Sequence, residues 1–291
     1  RHGWDYNAET YAWVEAQVAA AYADTGADKP IFVFQHVPDF QQEYGTCEHV
    51  GSEGGTPTLQ SVYERYPNVV RFAGHIHAPI TDEYIIYQNK YTSLGTGTLH
   101  YSTRPTANGE KMDMNNRYST DQAYVVEVDA ANRTRVRVWD ISENKFVART
   151  YILDSYKTED FKYNENRFTE EDLFFADDAE LNLVKVTGNL AAFSFSPVSP
   201  DSITARGYHL VVEDTAGKVV KQRYVSWDYF NLDYTTPIKS ALGGLTPETD
   251  YVLKVYAVTA GYCSELTCER HRMTSQPLVQ NFRTAAVAQG E

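Results

Sequence analysis

Two short apolar runs constrain this chain more than any other feature. IFVF (31–34) and VVRFA (69–73) each follow a segment of helical character, and each ends in histidine. His36 stands just beyond the first run, and Gly74-His75-Ile76-His77 begins directly after the second. In 8–24 the residues Tyr11, Val14, Val18, Ala21 and Tyr22 recur at helical spacing and give one apolar face, which Lys29-Pro30 ends. Thr56-Pro57 reads as a helix start, with a capping hydroxyl and Pro at the first helical position. Leu59, Val62, Tyr63 and Tyr66 continue its apolar face to Pro67-Asn68. The order is helix, strand, helix, strand, with a Gly-rich loop (45–55) after the first strand. Short continuous apolar runs suit strands buried on both faces. Strands joined through a helix lie parallel, so both release the chain at the same sheet edge. His36, His75 and His77 are therefore expected on one rim, at the carboxyl edge where open α/β sheets place ligands.

From 80 to 155 the period becomes two. Strands are expected at 84–87, 91–94, 123–128, 135–139 and 146–153, the third and fourth joined as a hairpin by a turn at 129–134. The Asn-, Thr-, Arg- and Gly-rich stretch 101–120 reads as a long surface loop, and the charged segment 154–180 as a linker that packs a few aromatics. Beyond 181, short alternating runs separated by turn residues argue for an antiparallel β-sandwich of about 100 residues, with Phe193, Phe195, Tyr208 and Leu210 facing its core. The abundance of Tyr, 22 in 291 residues, agrees with much half-buried β-structure.

Charge removes one class of function. There are 26 basic against 39 acidic residues, a net charge of −13, and a nucleic-acid binder would show a basic footprint. No run of 18 apolar residues is present to span a membrane as a helix.

Imidazole is a common ligand of mid-sized divalent metals. Three histidines at one rim can contribute to one or two ions, and a spacing of two in an irregular loop lets His75 and His77 face neighbouring ions. His36 can equally be a core histidine, and a lone H-x-H can be chance. A His ending the preceding strand, and a Gly just before the pair, favour a site.

PIFVFQHVP followed by VVRFAGHIHAP resembles the last two signature blocks of the calcineurin-like metallophosphoesterases. The lone-His block falls on His36 and the G-H-x-H block on Gly74-His75-Ile76-His77. TSLGTGTLHY and AYVVEVDAANRTRVRVWD are similar to the second sheet of that family's core, so the likeness covers roughly the first 150 residues. The resemblance implies the C-terminal half of an α/β/β/α sandwich, in which His36 and His75 ligate one metal and His77 the other, both ions being Mn, Fe or Zn. It implies a phosphorylated small molecule or a phosphodiester as substrate. The family's D-x-H, G-D-x-x and G-N-H-[ED] blocks are absent, since no Asp is followed two places later by His, Gly-Asp does not occur, and Gly188-Asn189 is followed by Leu190. Truncation is the simplest explanation, with those blocks upstream. The fragment is then expected to hold metal partially or not at all and to be inert, while its parent is a phosphohydrolase.

Leu245-Thr246-Pro247-Glu248-Thr249-Asp250-Tyr251 resembles the tyrosine corner of fibronectin type III domains, a module that is usually a spacer or a binding surface. The domains expected are 1–155, a metallophosphoesterase portion; 156–180, a linker; and 181–287, a fibronectin type III-like sandwich. The appended module points to an extracellular or cell-surface protein. Tyr224, Trp227, Tyr229, Phe230 and Tyr234 cluster in sequence and could form a glycan- or protein-binding patch, the basis of an alternative non-catalytic reading, or could pack a domain interface. His49, in the loop after His36, could touch substrate or be solvated; Cys47 lies beside it. His100 reads as structural. Cys263 and Cys268 could form a local disulfide or remain thiols, and with His271 they lack the fourth ligand that zinc requires.

Overall fold

The computed structural model describes residues 6–43, 46, 58–105, 112–115, 121–259, 272–274 and 276–286. His49, Cys47, Cys263 and Cys268 lie outside the described residues.

Helix α1 (Ala8–Thr25) starts at Asn7, whose side chain accepts the Thr10 amide, and stops at Gly26. Strand β1 (Ile31–Gln35) leads through the loop after His36 to a single helical turn, α2 (Gln60–Tyr63). β2 (Val69–Ala73) pairs parallel with β1, as the strand–helix–strand reading expects. β3 (Ile86–Gln88) follows a 3-10 turn at Glu83–Ile85. β4 (Thr92–Gly95) then inserts between β2 and β3, giving the order β1-β2-β4-β3. One face of this sheet packs Ile31 and Val69 against Val18, Leu59, Val62 and Tyr63 of the helical side. The other packs Val70, Phe72, Ile86 and Leu94 against a second sheet.

The stretch read as a surface loop contains a small ladder instead. β5 (Ser102–Pro105) pairs antiparallel with β6 (Met112–Asn115). The second sheet is β7 (Gln122–Val128), β8 (Thr134–Asp140) and β9 (Lys145–Leu153), with β7 and β8 forming the expected hairpin. Val136, Val138, Tyr151 and Leu153 supply its half of the core.

β1 corrects the expectation of strands buried on both faces. β2 is buried throughout, but β1 is an edge strand, and Phe34 remains 76 % exposed while stacking on Phe72 at 5.2 Å. A continuous apolar run records the absence of polar residues; it does not say whether a second neighbour covers the strand.

Two sheets build the second half. β10 (Leu181–Val186), β11 (Leu190–Phe195) and β14 (Ile238–Gly243) form one. β12 (Gly207–Asp214), β13 (Val219–Ser226), β15 (Asp250–Thr259), β16 (Arg272–Met273) and β17 (Leu278–Arg283) form the other. Phe193, Phe195 and Leu242 from the first meet Tyr208, Leu210, Leu253, Val255 and Phe282 from the second, making a β-sandwich core. The four core residues expected from the sequence are all buried in it. The Thr246 amide donates to the Tyr251 hydroxyl at 3.1 Å, fixing the corner before β15.

The charged stretch between the halves is bound to both. Tyr156 and Tyr163 join the inter-sheet core of the first half, and Leu173, Phe168 and Phe175 join the sandwich core. Arg167 donates to the carbonyls of Ile86 and Glu83 at 2.8 and 2.9 Å. Among the described residues no helix is long and apolar enough to cross a membrane.

Candidate functional site

The parallel pairing places Gln35 opposite Ala73, so the residues that follow both strands emerge at one edge. The rings of His36 and His75 meet edge to face, with centroids 5.3 Å apart. Gly74 permits this approach, because a Cβ there would stand 3.3 Å from His36 Nδ1 and 3.6 Å from its carbonyl oxygen. His75 and His77 both adopt left-handed backbone, with φ of 70° and 59°. Such a conformation costs a non-Gly residue roughly 1–3 kcal/mol and persists where surrounding contacts impose it, often at functional sites.

The contacts that impose it here come from the loop after β4. Thr96 donates its amide and its hydroxyl to the Ala73 carbonyl at 2.7 and 3.0 Å. Nδ1 of His77 lies 3.1 Å from the Tyr101 carbonyl, and the two rings pack at 4.3 Å. A carbonyl only accepts, so Nδ1 carries the proton and Nε2 is the lone-pair nitrogen. A hydrogen bond of this kind fixes the tautomer and orientation of metal-ligating histidines. Burial holds His77 below the usual imidazole range; the Tyr101 carbonyl opposes this, and the nearby His75, His36 and His100 add to it. A neutral imidazole is the form that binds metal.

His100, read as structural, lies next to the residue that orients His77. It is exposed and packs edge-on against Tyr101 at 5.5 Å. Its only sequence signal was position, five residues after a strand that the topology inserts beside β2.

Asp39 and Glu43, in the loop after β1, turn inward. Arg71, in the middle of β2, is fully buried and pairs with Asp39 at 3.0 Å and Glu43 at 2.6 Å. The Tyr91 hydroxyl also donates to Asp39, and Tyr63 donates to Gln35 at 2.8 Å. Burial pushes the Glu43 carboxyl up even though Arg71 opposes it. This network anchors the start of the loop and leaves the Asp39 and Glu43 carboxylates engaged with Arg71. Among the described residues no group of three His, Cys, Asp or Glu side chains is spaced to hold a metal ion. The three imidazoles thus share a rim without a closed coordination sphere.

Of the sandwich's aromatic cluster, Tyr224 is exposed and stacks on the His209 ring at 4.1 Å. Trp227 and Tyr229 are buried in the sandwich core, and Tyr234 packs on Trp227 at 5.4 Å. The Phe230 carbonyl accepts from Thr81 and Gln122 of the first half, so this cluster packs the domain interface. Trp227 and Tyr229 are thereby withdrawn from any ligand, while Tyr224 stays at the surface.

No family model matches the chain, and no curated protein matches it. Among solved structures, a computationally redesigned β-sandwich protein is similar at 13% identity, covering 38% of this chain and 94% of its own, with a TM-score of 0.25. The class that the structure itself defines is a chain of several β-sheets, with a β-sandwich in its second half.

Proposed function

We propose that this chain is the C-terminal portion of a calcineurin-like metallophosphoesterase, followed by a fibronectin type III-like sandwich. The observation that carries the reading is the meeting of His36 and His75 at the carboxyl edge of parallel strands, with His77 oriented by the Tyr101 carbonyl. The sandwich reading is supported by the Tyr251 corner and by the two facing sheets.

In this reading His36 and His75 hold one divalent ion and His77 contributes to a second. Two such ions would clamp phosphoryl oxygens and lower the pKa of bound water. The chain's own residues bring the His36 and His75 rings together, and orient His77 while its burial favours the neutral form. The carboxylate and amide ligands that complete such a site are assigned to the protein's remaining sequence. The parent would hydrolyse a phosphate mono- or diester, and these 291 residues alone would not.

Assay of the purified chain against p-nitrophenyl phosphate and its bis ester, with added Mn2+, tests the division of labour. The expected result is no metal-dependent turnover. Turnover abolished by His75→Ala would show that the chain carries a complete site and would overturn the fragment reading.

A further inference from the structure

We infer that the β-sandwich is a positioning element for the histidine rim, acting through Arg206 on the segment that follows His77. The inference rests on the metal-site reading above, but its coupling can be measured without metal.

Four residues separate His77 from Asp82, and Ala78, Ile80, Thr81 and Asp82 are each at most 1 % exposed. The run is clasped along its length. Tyr151 donates to the carbonyls of Ile80 at 3.0 Å and Asp82 at 2.8 Å, and Arg149 donates to that of Thr81 at 3.0 Å. Gly97, at φ +68°, lies so close to Ile80 that a Cβ there would stand 2.7 Å from the Ile80 side chain. The run therefore also braces the loop that leads to Tyr101 and its bond to His77.

The far end of this run is held by the sandwich. Arg206 makes two 2.7 Å hydrogen bonds to Asp82, with both side chains buried. The next residue, Glu83, accepts the Thr204 amide at 3.0 Å, the Thr204 hydroxyl at 2.6 Å and Arg149 at 2.9 Å. Tyr84 stacks beneath both Arg206 and Arg167. A spacer would touch its neighbour through a solvated linker. Here the sandwich grips the residues directly downstream of two histidines in left-handed backbone. Such conformations persist only while their surroundings impose them, so loosening the grip should relax the rim.

The test uses the full chain with both charges removed, Asp82→Leu with Arg206→Met, so that no buried charge is left alone. Tyr251→Phe, a sandwich change away from this contact, is the control. Hydrogen exchange is followed at the amides of 74–78, and Mn2+ affinity by calorimetry. The double variant should speed exchange at 74–78 about tenfold or more, with the β8 and β9 amides unchanged. It should also weaken Mn2+ binding about tenfold, the usual scale for losing a group that orients a ligand. The control should do neither. If the folded double variant exchanges at 74–78 like wild type, the inference is overturned. If the double variant binds Mn2+ as wild type does, the rim does not depend on the sandwich for its ligand geometry; if wild type binds none, as an incomplete site allows, the exchange result alone decides whether the sandwich positions the rim.

Discussion

The Asp82 carboxylate and the Arg206 guanidinium face each other through two parallel hydrogen bonds, 124 residues apart in sequence and each withdrawn from water. Such a pair sums a large desolvation cost and a large attraction, so its net worth is small while the loss of one member is expensive. Arg206→Met should therefore destabilise the chain by about 3–5 kcal/mol, and adding Asp82→Leu should recover most of that loss. Urea denaturation of the two single variants and the double variant measures this directly.

The same pair sets a pH dependence. Burial would raise the Asp82 pKa, but Arg206 overrides it and holds the carboxyl below its ordinary value. A depressed folded pKa means the unfolded chain takes up the proton first as pH falls. The contribution of Asp82 is then complete above its unfolded pKa of about 3.9 and is lost as pH drops through the folded value. Urea midpoints between pH 6 and pH 3 should fall more steeply for wild type than for the double variant. Parallel curves would remove Asp82 from the acid response.

The sequence made the rim legible because periodicity and topology suffice for it. Helix, strand, helix, strand implies parallel pairing, and parallel pairing puts His36 beside Gly74-His75. The corner at Tyr251 was legible because it is local, spanning five residues. What was not legible depends on partners distant in sequence. Arg71 reads as one polar residue in a strand until Asp39 and Glu43 fold over it. Trp227 and Tyr229 form an aromatic cluster whether they face a sugar or a core, and only packing decides. Phe34 is 76 % exposed because no described residues cover that part of the β1 face, which composition does not encode.

Removing the Tyr251 hydroxyl should show how much the corner contributes. Tyr251→Phe deletes the acceptor of the Thr246 amide while leaving the ring packed on Phe282 at 5.6 Å. The expected loss is about 1 kcal/mol, the net value of one hydrogen bond, read from thermal or urea unfolding.

The outer side of β1 predicts association. Phe34 is largely exposed beside Phe32 on an edge strand, and apolar edges template pairing with other chains. Sedimentation velocity over rising concentration should reveal self-association that Phe34→Lys reduces, with stability changed by less than about 1 kcal/mol.

Calorimetric titration of the chain with Mn2+ at pH 7.5 tests the central claim most directly. Wild type should show weak binding that is lost in His36→Ala and in His75→Ala, whose rings stand 5.3 Å apart, and is unchanged in a His209→Ala control on the sandwich. Binding that survives both rim substitutions would contradict a metal site built on these histidines.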